Sequence, residues 1–197
     1  MIDSLKYLDR DLTVWVNQQN HPWLDEIMWW ISSVAPFLIL ILLALFYANR
    51  KFGLRGMWFF LIGLLITFAM ADLVSVRAFK EVFMRLRPSN NPHLTDLLSL
   101  YVLPNGDIYT GGKYGFVSSH AANFAALATF IALVFKPRSN FLVILILTHV
   151  LIIYSRVYLG VHYVGDVVVG SLVGFVCGWV VFRFFKLLAW RWKSHLY

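Results

Sequence analysis

The sequence predicts an all-α integral membrane helical bundle of about five transmembrane helices, preceded by an N-terminal amphipathic helix. Of its 197 residues, 60% are hydrophobic and only 14% are charged, far from the balance of a water-soluble protein. Five apolar stretches each approach the ~20 residues that a helix needs to cross a bilayer. Basic residues follow alternate stretches, as alternating topology requires. The whole chain, 1–197, is therefore interpreted as one membrane domain.

The first helix, over residues 4–18, is predicted to lie along the membrane surface. Leu5, Leu8 and Leu12 recur at helical spacing, while polar residues occupy the other faces. Such a helix buries its apolar side at the interface without crossing the bilayer.

The five predicted spans are recognised by their apolar length and their polar or basic ends. Pro36 lies inside the first span and predicts a kink. In the last span, Gly170, Gly174 and Gly178 repeat every four residues and predict a smooth face for close helix packing. The spans cover residues 23–48, 57–79, 118–135, 141–158 and 166–187.

Charge assigns the two ends of the bundle to the two sides of the membrane. With five alternating spans, the basic segments 49–55, 136–138 and 183–193 share one side, which the positive-inside rule makes cytoplasmic. We therefore expect the opposite, non-cytoplasmic face to receive the 80–117 connection and the 155–166 segment.

The connection between the second and third spans is too long for a simple turn. Pro104 to Asp107, between apolar residues, predicts a hairpin, and Gly111-Gly112 predicts a flexible joint. We interpret residues 89–114 as a lid or rim over the outer face. An inert surface loop is the alternative.

A first polar cluster, Arg156, His162 and Asp166, interrupts apolar sequence. Charged groups near the hydrocarbon are costly, so they indicate a site. His162 and Asp166 are four residues apart, which on one helical turn lets the carboxylate orient the ring and leaves the other nitrogen free as nucleophile or base. Arg156 can hold an anion in front of that nitrogen.

A second cluster, Lys80 to Pro88, lies at the outer end of the second span, where a basic anchor is not expected. Lys80 and Arg87 are seven residues apart, about two helical turns, so both can face one point before Pro88 ends the helix. A forked donor and a point charge suit a phosphate. Arg85 is assigned an interfacial role.

A third cluster, Ser118, Ser119 and His120, begins the third span. Ser118 suits the capping position of a helix, and capping alone is the alternative to a binding role. The free backbone N–H groups and the dipole of a helix start also favour an anion. His120 is placed to protonate a leaving oxygen.

Together the three clusters predict phosphoryl transfer, because their positive charge can stabilise the equatorial oxygens of a phosphoryl group. No set of Asp, Glu, His or Cys with metal-ligand spacing accompanies them, which favours a reaction without metal or cofactor. The formal charge of +7 is attributed to contact with anionic lipid rather than nucleic acid. No obligate protein partner is inferred.

Three motifs carry a family resemblance. The patterns K-x6-R-P at Lys80 to Pro88, S-x-H at Ser118 to His120, and S-R-x5-H-x3-D at Ser155 to Asp166 resemble the signatures of the type 2 phosphatidic acid phosphatase superfamily. Val117 and Ser119 stand where that family usually has Pro and Gly, which removes a preset turn.

The resemblance implies a metal-free phosphatase that acts on lipid phosphates. Because the compact members that this chain resembles are bacterial, it also implies a multi-pass protein of the bacterial plasma membrane, with its site on the periplasmic or extracellular face. It implies that His162 attacks phosphorus to give a phosphohistidine, that Asp166 orients His162, and that His120 protonates the leaving group and then activates water. It also implies that the phosphate oxygens are held by Lys80, Arg87, Ser118, Ser119 and Arg156.

Small bacterial proteins that this chain resembles often recycle undecaprenyl diphosphate at the outer face, so this lipid is the predicted substrate. Lipid A, phosphatidylglycerophosphate and phosphatidic acid are the alternatives. Two other classes also fit a basic cavity: a transporter or flippase that binds a lipid phosphate without cleaving it, and a vanadate-dependent haloperoxidase.

Two polar residues deep in the spans, Asp72 and His149, precede Lys80 and Arg156 by eight and seven residues. Each therefore lies about 10–12 Å below the phosphate site. We predict that they pair across the second and fourth spans, with separate partners as the alternative.

Overall fold

The computed structural model describes the backbone of residues 2–194 and the side chains of residues 4–189. Every regular element within them is helical, which confirms the predicted fold class. A π-helical segment, Val74–Lys80, joins α3 to α4, and two short 3-10 turns follow at Pro88–Asn90 and Thr95–Leu97. The helices α1 to α7 are Ile2–Asn17, Pro22–Ile31, Ala35–Leu73, Glu81–Phe83, Ser119–Phe135, Ser139–Tyr158 and Val164–Ser194.

α3 consists of two antiparallel helices joined at Gly53. The φ of +70° and ψ of 178° at this residue break the helical path, and glycine adopts such a φ without steric cost. Before the break, contacts advance along α5 towards its C-terminus, and after the break they return towards its N-terminus. The contacts that show this reversal are Phe37–Phe124, Tyr47–Phe135, Phe60–Phe135 and Ala71 with Ala126.

The first predicted span, residues 23–48, is not one continuous helix, so the prediction is wrong for its first third. α2 ends at Ile31 and α3 begins at Ala35, so the predicted helix is broken in two. Pro36 lies in the first turn of α3, where a missing backbone N–H leaves no helical hydrogen bond unmade. The predicted kink at Pro36 is therefore wrong, because the proline starts a helix instead of bending one.

Three stretches of the described residues are long and apolar enough to cross a membrane, namely Ala35–Phe83, Ser139–Tyr158 and Val164–Ala189. The first contains the reversal at Gly53 and so supplies two antiparallel helices. α5 is equally apolar but shorter, with 17 residues. Together they form the five-segment bundle of an integral membrane protein.

The basic connections lie together at one end of this bundle. Lys51, just before the reversal in α3, donates a hydrogen bond from Nζ to the carbonyl oxygen of Phe135 at 3.4 Å. Phe135 ends α5, whereas His120 lies at its start, roughly 22 Å away at 1.5 Å per residue. The predicted polar clusters and the basic connections therefore occupy opposite ends. Which end faces the cytoplasm stays a prediction.

The glycines of α7 allow α5 to pack directly against it. A Cβ built on Gly174 would lie 2.1 Å from the carbonyl oxygen of Ala122, and one on Gly178 would lie 2.4 Å from that of Ala126. A Cβ on Gly170 would lie 2.7 Å from the carbonyl oxygen of Ser118. The predicted packing face is confirmed, and it holds the helix start at Ser118 against the first turns of α7.

α1 turns its polar side towards the bundle and its apolar side outward. Thr13 and Asn17 are fully buried, and Asn17 donates through Nδ2 to the carbonyl oxygens of Ser99 and Tyr158. The leucines of the predicted apolar face are exposed; these are Leu5, Leu8 and Leu12. The amphipathic helix is confirmed, while its placement in the membrane surface stays a prediction.

The predicted pairing of Asp72 with His149 is wrong. Asp72 accepts a hydrogen bond from Asn123 Nδ2 at 3.2 Å. His149 Nε2 lies 2.9 Å from Ser171 Oγ, and its ring stacks on Phe124. α3, which carries Asp72, and α6, which carries His149, both pack against α5 and α7. The partners of the two residues therefore come from α5 and α7.

Candidate active site

His162 and Asp166 meet at the junction between α6 and α7. His162 lies before the start of α7 at Val164, and Asp166 lies in its first turn, so the two do not share a helical turn as predicted. Their side chains nevertheless meet, with His162 Nδ1 3.4 Å from Asp166 Oδ2. The same Oδ2 accepts a hydrogen bond from the backbone N–H of Tyr163 at 3.1 Å. Both side chains are essentially buried.

Arg87 reaches His162 by a route that the sequence did not predict. The helix that carries Lys80 ends at Phe83, and Met84 turns the chain with a φ of +44°, so Arg87 lies on an extended segment and not two helical turns from Lys80. Its Nη1 lies 3.0 Å from His162 Nε2. Nη1 also donates to the Val161 carbonyl oxygen, and Nε donates to the Tyr114 carbonyl oxygen, both at 3.2 Å.

The contact with Arg87 determines the tautomer of His162. A guanidinium group can only donate, so Nε2 must accept and the ring proton must lie on Nδ1, facing Asp166. Burial, followed by the nearby charges of Arg87, Arg156 and Lys80, holds the pKa of His162 well below its usual range. The ring is therefore neutral at pH 7, with a lone pair on Nε2.

The surroundings of Arg87 disfavour the positive charge of its guanidinium group. Burial and the neighbouring Arg156 lower the pKa of Arg87 to about 10, so Arg87 remains charged at pH 7. Two buried guanidinium groups close to one another repel, and an anion between them would relieve that repulsion. The charge pattern thus fits an anionic ligand in front of Nε2.

Lys80 and Ser119 form the second side of the site. Lys80 Nζ donates to Ser119 Oγ at 2.7 Å, and this oxygen also lies 2.7 Å from Ser75 Oγ. The π-helical turn that ends at Lys80 places Lys80 and Ser75 together against the start of α5. π-helical turns are frequent at functional sites because they redirect side chains.

Ser118 acts as the helix cap. Its Oγ accepts a hydrogen bond from the backbone N–H of Ala121 at 3.4 Å, and its own N–H donates to the Asp166 carbonyl oxygen at 3.0 Å. The side chain is fully buried. The capping alternative therefore describes Ser118 better than a direct contact between its hydroxyl and a phosphate.

Arg156 lies in the last turn of α6, where its charge acts on both Arg87 and His120. Its Nη1 donates to Ser32 Oγ and its Nη2 to Tyr109 Oη at 3.2 Å. Its Nε is buried and has no hydrogen-bond partner among the described residues. An unpaired buried donor on a cation is costly, and an anion would satisfy it.

His120, in the first turn of α5, lies across from these cations. Its ring packs edge-on against Phe37 with the centroids 5.8 Å apart. The charges of Arg156, Arg87 and Lys80 all act on it, and His120 in turn acts on His162. The structure thus brings the predicted side chains together, except that the hydroxyl of Ser118 serves the helix.

The connection over residues 89–114 lies over this site. Tyr109 N–H donates to the Tyr101 carbonyl oxygen, and the turn at Pro104 to Asp107 joins them, as the hairpin prediction requires. Trp29 stacks on Tyr101 and meets Tyr109 edge-on, with both pairs of centroids 4.7 Å apart. Since Tyr109 also contacts Arg156, this segment reaches the site, while its role as a lid or rim stays a prediction.

Sequence analysis missed Arg85 and Asp9. Arg85 donates from Nη1 to Asp166 Oδ1 at 2.9 Å and from Nη2 to Asp9 Oδ2 at 2.7 Å. Arg85 therefore has partners inside the protein, which the interfacial role assigned to it did not include. No local pattern links α1 to residue 85, although an arginine next to a site motif was a signal to consider.

No three His, Cys, Asp or Glu side chains among the described residues lie close enough to hold a metal ion. The cluster instead collects cations around a neutral histidine. This donor set suits a phosphate group.

Comparisons with known proteins agree with this chemistry. A family model described as the PAP2 superfamily matches residues 60–190. A lipid A 4'-phosphatase from Porphyromonas gingivalis is 33% identical over 94% of this chain and 76% of its own. One from Bacteroides thetaiotaomicron is 31% identical over 98% of this chain and 84% of its own. The crystal structure of a transmembrane PAP2 type phosphatidylglycerolphosphate phosphatase from Bacillus subtilis has a TM-score of 0.67 at 24% identity, over 93% of this chain and 87% of that one.

Proposed function

Because this chain belongs to the PAP2 superfamily of membrane lipid phosphatases, we propose that it removes a phosphate from a glycolipid of the lipid A type, with His162 as the nucleophile. That it is an integral membrane enzyme hydrolysing lipid phosphates follows from the family and from its relatives. The substrate and the residue roles are our proposal.

One observation supports the nucleophile most directly. Arg87 Nη1 lies 3.0 Å from His162 Nε2, and Asp166 Oδ2 lies 3.4 Å from Nδ1. The ring is thus oriented with its lone pair towards a cation. A phosphate oxygen is a stronger acceptor than an imidazole nitrogen, so substrate would draw Arg87 to itself and leave Nε2 facing phosphorus.

In the first step, the Nε2 lone pair of His162 attacks phosphorus and the bond to the lipid oxygen breaks. Asp166 accepts a hydrogen bond from the Nδ1–H of His162 and stabilises the positive charge that develops on the ring. The negative phosphate, bound among the cations that surround His120, favours the protonated form of this ring. His120 then gives that proton to the departing oxygen and becomes neutral. The products are the lipid alcohol and a phosphohistidine.

In the second step, His120 takes a proton from a water molecule, whose oxygen attacks phosphorus as the N–P bond breaks. Inorganic phosphate leaves and His162 is neutral again. Throughout, Lys80, Arg87 and Arg156 hold the equatorial oxygens, and their charge favours the transition state. No step requires a metal, so EDTA is expected to leave the rate unchanged.

The relatives described above favour lipid A over undecaprenyl diphosphate, the substrate predicted from the sequence, because the proteins at 33% and 31% identity are named lipid A 4'-phosphatases. The rim supports this choice. Tyr109 contacts Arg156 and meets Trp29 edge-on, and Trp29 stacks on Tyr101, so an aromatic cluster extends from this cation. Aromatic rings suit the apolar C–H face of a sugar that carries the phosphate.

We expect the purified protein to release phosphate fastest from a lipid A 4'-phosphate. The assay compares this lipid with undecaprenyl diphosphate, phosphatidylglycerophosphate and phosphatidic acid, at matched surface density and with EDTA present. Faster release from undecaprenyl diphosphate than from lipid A would overturn the substrate assignment. Loss of all release in EDTA would contradict the metal-free reaction.

The site is proposed to face the periplasm or the cell exterior, since it lies at the end of the bundle away from Lys51 and the other basic connections. Intact spheroplasts should then hydrolyse lipid supplied from outside. Hydrolysis by inverted vesicles alone would contradict this placement.

Arg156→Lys is expected to lower kcat/KM about tenfold to a hundredfold, because lysine cannot reproduce the fork that would bind two phosphate oxygens. The exposed Arg138, at the opposite end of the bundle, provides the matched control as Arg138→Lys. Equal kcat/KM for Arg156→Lys and the wild type would show that Arg156 does not bind the phosphate.

A further inference from the structure

The N-terminus of α7 is capped by side chains from α1. Asp9 Oδ1 accepts a hydrogen bond from the Gly165 N–H at 2.7 Å, and Thr13 Oγ1 accepts one from the Val164 N–H at 3.2 Å. Helix starts ordinarily find such acceptors in the residue just before them, which here is Tyr163 and has no suitable side chain. α1 is thus joined to the helix that carries Asp166.

The same α1 carboxylate continues into the catalytic pair. Asp9 Oδ2 binds Arg85 Nη2 at 2.7 Å, and Arg85 Nη1 binds Asp166 Oδ1 at 2.9 Å. The Arg85 guanidinium lies over the Tyr163 ring, 3.7 Å from its centroid, which fixes the plane of the fork. The chain of contacts runs from α1 through Arg85 and Asp166 to His162.

At the buried end of this series of contacts, Asp166 has few other possible partners. The Asp166 side chain is 0% exposed and that of Arg85 is 32% exposed. Oδ2 of Asp166 faces His162 and the Tyr163 N–H, so Arg85 is the cation that binds Oδ1. Removing Arg85 would leave a buried carboxylate oxygen without its charged partner, and the carboxylate would rotate or move.

We infer that Arg85 is a positioning residue for the reaction at His162, that Asp9 holds Arg85 in place, and that α1 is for this reason a working part of the hydrolytic centre. The inference rests on the proposed nucleophilic role of His162. The contact between His162 Nδ1 and Asp166 is already long at 3.4 Å, so a small shift of the carboxylate would lose it. Neither Arg85 nor Asp9 contacts the ring, so the effect passes through Asp166.

The test measures kcat and KM of Arg85→Ala in the full-length protein. The expected kcat is about tenfold to a hundredfold below wild type, with KM changed less than about twofold, because the phosphate-binding cations remain. Free guanidinium ion at millimolar concentration should restore much of the lost kcat by occupying the space left by the side chain. Loss through misfolding would not be restored in this way.

Arg77→Ala is the matched control, since Arg77 lies in the same stretch and pairs with Glu81 on the exposed surface at 2.8 Å. Its kcat should equal that of wild type. Asp9→Asn keeps an acceptor oxygen for the Gly165 N–H but removes the negative charge that faces Arg85. It should lower kcat, and the double variant Asp9→Asn/Arg85→Ala should lose no more than Arg85→Ala alone, because both changes then act through the same contact.

A kcat for Arg85→Ala within twofold of wild type, a loss that guanidinium does not restore, or multiplicative effects in the double variant would overturn the inference. Its failure is distinguishable from failure of the proposed function. In the former case His162→Ala is still inactive, whereas in the latter case His162→Ala still releases phosphate.

Discussion

Replacing His162 by alanine is expected to abolish phosphate release, lowering kcat by at least about 10³-fold, because the Nε2 lone pair that attacks phosphorus is lost. Lipid binding should survive, since the cations that hold the phosphate remain in place. The measurements are phosphate release from the preferred lipid and equilibrium binding of the same lipid. In wild type, a brief reaction with radiolabelled substrate should leave an acid-labile phosphoryl group on the protein.

His93→Ala is the matched control, because His93 is an exposed histidine on the connection between the second and third spans. It should retain wild-type activity. Phosphate release by His162→Ala at the wild-type rate would exclude the phosphohistidine reaction. Lipid binding without phosphate release by the wild-type protein would instead favour the transporter or flippase, and halide oxidation with vanadate would favour the haloperoxidase.

Gly174→Ala is expected to destabilise the protein by about 3 kcal/mol or more, at the upper end of overpacking effects. The added Cβ would lie 2.1 Å from the carbonyl oxygen of Ala122 and 2.9 Å from its Cα. Because the obstacle is backbone, no side-chain rotation relieves the clash and α5 must move. Thermal unfolding of the purified protein, followed in detergent, should show a lower Tm.

The same substitution should lower activity as well as stability. α5 carries Ser119 and His120 at its start, and a displacement of about 1 Å at a reacting group can cost about 10²-fold in rate. Leu172→Ala is the control, because Leu172 lies on the same helix with its side chain 62% exposed. Wild-type Tm and activity in Gly174→Ala would show that the two helices separate at no cost.

The spans and the three polar clusters could be predicted because each depends on residues near one another in the chain. Apolar length near that of a bilayer indicates a helix whatever its neighbours are. A charge within apolar sequence is costly enough to indicate a site before any partner is known. For these reasons Lys80, His120, Arg156 and His162 were identified as site residues from the sequence.

Local arrangement within the clusters was less predictable. Lys80 and Arg87 were expected on one helix, but a π-helical turn and the left-handed Met84 place them on different segments that still converge. His162 was expected on a helical turn with Asp166, but it precedes the helix. Several backbone conformations can bring the same side chains together. A motif therefore predicts which side chains meet better than it predicts the backbone conformation between them.

What the sequence by itself determined is an all-helical membrane protein with cations and histidines at one end of its bundle. Only the tertiary structure decided that Gly53 reverses α3, that Asp72 and His149 have separate partners, and that Asp9 reaches Asp166 through Arg85. Such partners depend on how far each helix is rotated about its axis and shifted along it. Those quantities are determined by packing between helices, such as that of Gly174 on Ala122, and no stretch of the chain contains them alone.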